Sequence, residues 1–226
     1  MACLIPARLG SKRLRHKNLL PLDGVPMLAH TIACGLNCFD EVFVCTESEV
    51  IAEVATQHGA TITGLLPEEL CSDLVASWRP CVAVAEQLVA AGHPVDDLVC
   101  LQPSSPLRTP AELTAAGELF RASGADFVVS VTPIDPHFFH WALEHADQGW
   151  RLAFGERYLL ERPLLPSRFR PNGSIKIARL AALVRTGSFF GPSLECVETS
   201  EETSVHVATA IDLLLCEALL QARQAV

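Results

Sequence analysis

Short apolar runs alternate with amphipathic helical stretches along most of this chain, the pattern of parallel strands joined by crossover helices. The runs at 2–6, 41–46, 60–63, 97–102 and 126–132 read as strands. Between them, Pro26 opens a helix to about Gly35, Ser48 caps one to His58, and Pro110 starts one to Ser123. A longer helical pattern fills 73–91 and stops at Gly92. Further on, a strand at 172–177, another near 194–198 and a helix from about Thr209 to Arg223 complete the reading. A chain of 226 residues supports one sizeable core. The expected fold is therefore a single α/β domain, 1–226, with a mostly parallel, Rossmann-like sheet and crossover helices.

Regularity fails between about 133 and 170, where Pro and aromatic residues crowd "PIDPHFFHWALEHADQGWRLAFGERYLLERPLLPSRFRP". This is an inserted excursion, and exposed Phe and Trp there would suit a subunit interface. No apolar run reaches the roughly 18–20 residues that a membrane helix needs, and the start lacks the features of a secretion signal. Nine cysteines, an odd number, sit mostly in apolar patterns, which fits buried thiols in a reducing cytoplasm.

Against a formal net charge of −9, Arg8, Lys12, Arg13, Arg15 and Lys17 crowd the segment that leaves the first strand. Ligands of open parallel sheets bind beyond the carboxyl ends of the strands, so this loop is the place to look for a site. Gly10 permits close backbone approach and Ser11 donates to phosphate oxygens, while Lys12 and Lys17 supply point charges and Arg8 a fork of donors. The run is neither the Walker pattern nor the dinucleotide pattern. Five clustered charges on a chain of pI about 5.3 also make no extended basic face for nucleic acid.

"IPARLGSKRLRHKNLLPLDGVPML" resembles the opening signature of the CMP-sialic acid synthetase (acylneuraminate cytidylyltransferase) family. The resemblance continues through "TESEVIAEVATQHGA", "LPEELCSDLVAS", "LQPSSPLR", "RPNGSIKI" and "GSFFG". It implies a nucleotidyltransferase-type fold, a protruding segment that forms a homodimer, and transfer of CMP from CTP to the C2 hydroxyl of a nine-carbon 2-keto sugar acid. The synthetases that activate the eight-carbon acid Kdo are a weaker match, since they carry Ser-Thr-Arg-Leu-Pro where this chain has Gly-Ser-Lys.

By that resemblance, Arg8, Ser11, Lys12, Lys17 and Asn18 hold the nucleotide, with Lys12 and Lys17 catalytic, and Ser77 faces the cytosine. Gln102 and Ser104 line the sugar side; Arg162 and Arg170 clamp the sugar carboxylate, Asn172 hydrogen-bonds the sugar, and Phe189 with Phe190 forms an apolar wall. Bland readings stand beside several of these: ordinary core for the phenylalanines, a helix-surface hydroxyl for Ser77, a turn tie for Arg108.

One segment departs from the family. Where its members carry two aspartates two positions apart as Mg2+ ligands, this chain reads His206-Val207-Ala208. Hard Mg2+ prefers oxygen, so one imidazole is a poor replacement. Three accounts follow: an active enzyme whose Mg2+ is held mainly by CTP phosphates and water, with Glu47, Asp73 or Asp212 near; one using Mn2+ through His206; or a weakened homologue that binds nucleotide or sugar acid as a sensor or partner subunit.

Overall fold

The structure is a computed structural model that describes residues 1–11, 13–72, 74–155 and 160–224, with the backbone alone at 136, 137, 162 and 224. Strand β1 (Ala2–Pro6) leads through the basic loop and a small hairpin, β2 (Pro21–Leu22) and β3 (Val25–Pro26), into α1 (Met27–Leu36). Then come β4 (Val42–Cys45), α2 (Glu49–Gln57), α3 (Trp78–Ala90), β5 (Asp97–Leu101), α4 (Pro110–Ser123) and β6 (Phe127–Ile134). A short α5 (Pro136–His140) precedes the hairpin of β7 (Leu143–Ala146) and β8 (Gly149–Leu152). The chain returns as β9 (Arg168–Arg179) and ends with α6 (Leu180–Thr186), β10 (Leu194–Glu198) and α7 (Ala210–Gln224).

The main sheet has the order β10-β6-β9-β5-β1-β4. All its strands run the same way except β9, which is antiparallel to both neighbours. Covered on both faces, the strands bury alternate residues in opposite directions, as a pleated strand must. Leu4 joins one core cluster with Val84 and Leu88 of α3 and Leu183 of α6, while Cys3 and Ile5 join another with Leu28, Ile51 and Phe120 of α1, α2 and α4. A third cluster seats α7 through Cys216 on Leu22, Met27, Leu107 and Val207. Among the described residues no helix is long and apolar enough to cross a membrane. All nine cysteines are free thiols and seven of them are buried, so they serve as core.

Helix starts follow their caps. Ser48 Oγ accepts from the Ile51 amide at 3.3 Å, and Thr109 with Glu112 forms a reciprocal capping box ahead of Pro110. Three sequence expectations need correction. The run at 60–63 makes only a single bridge, Thr61 to Phe43, because Gly64 and Pro67 follow too soon for a strand to propagate. The helix expected over 73–91 begins at Trp78, which places Pro80, with no amide hydrogen to give, in the first turn. The excursion is narrower than 133–170, because β6 and β9 stay paired out to Ile134 and Arg168. Pro133 and Pro171 hide that ladder from a reading by alternation.

β9 carries the irregularity that shapes the site. Val129 faces Lys176 but Val131 faces Pro171, so β9 holds surplus residues between them. Gly173 bends there with φ of 75°, a conformation that favours glycine, and a Cβ on it would lie 2.9 Å from Gln102 Oε1 and displace that side chain. Asn172 fixes the bulge. Its Oδ1 accepts from Ser130 Oγ and from the Ser174 amide (3.0 Å), and its Nδ2 donates to Thr199 Oγ1 (2.7 Å) and Ser204 Oγ (2.8 Å). Replacing it with the similarly sized Leu takes one hydrogen-bond partner from each of Ser130, Thr199 and Ser204 and the side-chain acceptor from the buried Ser174 amide, and is expected to remove roughly 1–3 kcal/mol. Urea unfolding of Asn172→Leu measures this, and unchanged stability would mean that the bulge is held by other contacts.

Candidate nucleotide site

A cleft of about 300 Å³ opens beyond the carboxyl ends of β1, β4 and β5. Arg8, Gly10, Ser11, Arg13, Lys17 and Asn18 line it from the basic loop, and Leu70, Cys71, Ser72, Val75 and Ser77 from the segment ahead of α3. Gln102 and Ser104 from the loop after β5, and His206 and Ala208 from the segment before α7, complete the lining. Arg8, Arg13 and Lys17 are the cations lining it, and none of the described lining residues is acidic. In a chain of formal net charge −9 this is a local inversion of sign, the condition for attracting and holding an anion.

The loop is shaped by backbone and carboxylate ties. Glu47 Oε1 accepts the Leu9 amide at 2.9 Å, and Asn18 Nδ2 donates to the Arg8 carbonyl at 2.9 Å, so Asn18 acts as a clasp across the loop. Lys17 Nζ donates to the Val207 carbonyl at 2.8 Å, and the Val207 amide donates to the Ser104 carbonyl at 2.7 Å. These bonds join the basic loop, the 206–208 segment and the β5 loop in one chain. Gln102 Nε2 donates to Ser77 Oγ at 3.4 Å; Ser77 caps nothing, which leaves both side chains facing the cleft.

Burial and neighbouring positive charge set the ionisation. Burial first, then the Arg13 and Arg8 charges, lower the Lys17 pKa to about 8. Burial, then Lys17 and Arg13, lower that of His206 to about 4, so its imidazole is neutral near pH 7. Burial, and after it Glu47, pushes the Cys71 thiol up to about 12, so this lining cysteine is an inert wall.

Comparison with known proteins places this geometry. A family model described as cytidylyltransferase matches residues 2–136. The chain belongs to the cytidylyltransferase family. It is 34% identical to the CMP-N,N'-diacetyllegionaminic acid synthase of Legionella pneumophila, over 98% of this chain and 96% of that one. It is 30% identical to an N-acylneuraminate cytidylyltransferase of Streptococcus agalactiae across 94% of its own length, yet spans about half, 51%, of that protein. In fold it is similar to a CMP:2-keto-3-deoxy-manno-octonic acid synthetase structure complexed with CTP, with a TM-score of 0.73 over 98% of both chains; at 17% identity that likeness speaks for the fold alone.

As a cytidylyltransferase, the chain gathers Arg8, Ser11, Lys17, Asn18, Ser77, Gln102, Ser104 and His206 around one cleft. Lys12 lies outside the described residues, and Arg162 is described only as backbone in a 3-10 turn, Arg162–Leu164. The remaining residues expected at the sugar do not line the cleft. Arg170 is exposed on β9 opposite Thr132. Asn172 is buried with its hydrogen bonds filled by protein, so here it is part of the frame. Phe189, 4% exposed, is a core side chain with the Lys176 ammonium 5.4 Å from its ring centre, and Phe190 is half exposed. Arg13, named above only as part of the charge cluster, and Cys71 and Val75 line the cleft without having been given a role there, although all three lie in the quoted motifs.

Among the described residues, the donor set does not fit a protein-held Mg2+. No group of three or more His, Cys, Asp or Glu side chains suited to a metal occurs among the described residues. Glu47 is tied to Leu9, and Asp212 Oδ2 accepts from the amides of Ala208 (2.9 Å) and Thr209 (2.7 Å) and from Thr209 Oγ1 (2.9 Å) as the cap of α7. Asp73 lies outside the described residues.

The lowered Lys17 pKa has a definite sign for ligand binding. Below pH about 8 its ammonium is charged and attracts a triphosphate; as the pH rises above that value the charge is lost. CTP affinity measured by calorimetry is expected to hold up to about pH 8 and weaken beyond it, whereas Lys17→Arg keeps its affinity at higher pH. A wild-type profile flat to pH 10 would show that Lys17 does not meet the nucleotide.

Proposed function

We propose that the protein transfers CMP from CTP to the C2 hydroxyl of a nine-carbon 2-keto sugar acid of the legionaminic or sialic type and releases pyrophosphate. The observation that carries this reading is the cleft itself: an anion-binding pocket built from the segment that matches the family model, with Arg8, Arg13 and Lys17 facing it and no described acid. The identity with the legionaminic acid synthase over nearly the full length of both chains supports the class of sugar.

In this reading the triphosphate lies along the Arg8–Asn18 loop, where Arg8, Lys12 and Lys17 offset its charge and Ser11 donates to it. Ser77 meets the cytosine. The sugar hydroxyl oxygen attacks the α-phosphorus as the bond to the bridging oxygen of pyrophosphate breaks, and the hydroxyl proton passes to solvent. Gln102 and Ser104 orient the sugar, and its carboxylate draws in Arg162 and Arg170. Little covalent work is asked of the protein, so alignment and charge neutralisation dominate. Mg2+ or Mn2+ carried by the CTP phosphates and water would add to this charge neutralisation, since Mg2+ commonly keeps several waters and few protein ligands.

The protein works as a homodimer in the cytoplasm in this proposal. Exposed Phe138 (81%), Trp150 (71%) and Leu164 (68%) crowd the excursion, more apolar surface than a monomer's segment of this size would leave in water. Sedimentation velocity is expected to give a dimer for the wild type and a monomer for Trp150→Asp; a monomeric wild type would remove the dimer. A second reading, a homologue that binds nucleotide without turnover, is favoured by His206 and Ala208 standing where the family carries carboxylates.

Pyrophosphate release from CTP, followed over a panel of eight- and nine-carbon 2-keto sugar acids, separates the two. Release with one nine-carbon acid is expected, with Arg8→Ala slowing it by about 100-fold or more. Silence across the panel with CTP binding intact would leave the non-catalytic homologue.

A further inference from the structure

The segment Val205–Val207 forms no regular strand, yet it places its residues as one would. Val207 turns into the third core cluster, while His206 and Ala208 on either side of it line the cleft. The two positions that would aim a pair of ligands at one point are therefore both exposed to the pocket, and neither carries an oxygen donor. The charges that bear on His206 most strongly are Lys17 and Arg13; Asp212 opposes them, and Lys176 adds less than Asp212 subtracts. Asp212 is held by its cap bonds to Ala208 and Thr209. A divalent cation placed beside His206 would meet one imidazole and three nearby cationic side chains, an arrangement that repels it.

An anion meets the opposite situation. An imidazole carries at least one N–H in either tautomer, and here His206 lines the same cleft as Lys17 and Arg13. Lys17 is anchored to the Val207 carbonyl between the two cleft-facing residues, so the imidazole and the ammonium are fixed relative to each other by a single 2.8 Å bond. Ala208 leaves room on the other side without adding charge.

We infer that His206 is a phosphate-binding residue rather than a metal ligand, and that the 206–208 segment of this chain extends the anion site of the basic loop. It takes the pyrophosphate portion of a nucleoside triphosphate, and equally inorganic pyrophosphate, by hydrogen bonding beside Lys17 and Arg13. The inference rests on the nucleotide site proposed above and adds the residue that receives the leaving group.

The two roles of His206 predict opposite mutant orders. Binding of inorganic pyrophosphate and of CTP is measured by calorimetry with chelator present, and Mn2+ binding to the nucleotide-free protein by electron paramagnetic resonance. A phosphate donor at 206 predicts that His206→Asn, which keeps an N–H, stays within about threefold of wild type, that His206→Ala loses about tenfold, and that His206→Asp loses more than His206→Ala. It also predicts no Mn2+ site on the free wild-type protein. A stoichiometric Mn2+ site that disappears in His206→Ala, recovery of His206→Asp on adding Mg2+, or pyrophosphate affinity unchanged in His206→Ala would each overturn the inference. Thermal melts of the three variants exclude misfolding as the cause of a loss. If pyrophosphate binds in the predicted order while no sugar acid yields turnover, the His206 inference stands and the proposed transfer falls; absence of both CTP and pyrophosphate binding overturns the two together.

Discussion

A buried guanidinium holds this site to its sheet. Arg108 is 4% exposed, donates through Nε and Nη2 to the Ser174 carbonyl, and reaches the Gln102 carbonyl at 3.0 Å. It thus bridges the loop after β5 to the bulge of β9, two strands that run in opposite directions and share a register only as far as Leu101 and Ile175. Beyond that pair the ladder stops and side chains must finish the job. Arg108 supplies donors from one side and Asn172 from the other, and between them the backbone of 172–174 is turned so that Gln102 lies against Gly173 and looks into the cleft. A guanidinium suits this place because its planar fork reaches several carbonyls at once, where an ammonium would serve as a point charge.

From that frame the electrostatics follow. With β5 and β9 fixed, Ser104 receives the Val207 amide, Val207 receives the Lys17 ammonium, and the basic loop is drawn over the carboxyl edge of the sheet. The carboxylates nearest to it are occupied with backbone: Glu47 holds Leu9 and Asp212 holds the start of α7. A cluster of cations that in open water would be a solvated charge run instead lines a cavity to which no described acid contributes. This arrangement costs stability, as the lowered pKa of Lys17 records, and an arriving triphosphate recovers that cost.

How much of this the sequence discloses depends on how local each feature is. The loop from Arg8 to Asn18 is legible because its residues are contiguous and follow a strand whose end is predictable. His206 and Ala208 are legible because residues two apart in an extended segment face one way. The double role of Asn172 is not, because its partners Ser130, Thr199 and Ser204 come from β6 and from the connection after β10, which nothing in the local pattern brings together. Phe189 and Phe190 show the same limit: neighbours in sequence, one enters the core and the other stays half exposed. The true length of β6 and β9 is masked by prolines that interrupt alternation without interrupting the ladder.

The absence of the paired carboxylates need not unravel such a site, because of what surrounds their positions. Two aspartates facing a pocket that already holds Arg8, Arg13 and Lys17 would pair with those cations or demand a metal to separate them. With His206 and Ala208 in their place, these two positions add no carboxylate to the cleft, and none of its described lining residues is acidic. In the proposed reaction a tetraanion would be neutralised by side chains that are part of the protein, with any metal supplied by the nucleotide. Such a site trades the strong, compact charge of a bound ion for several weaker charges spread along the phosphate chain. That distribution matches a leaving group whose charge grows over all its oxygens as the bond to the α-phosphorus breaks.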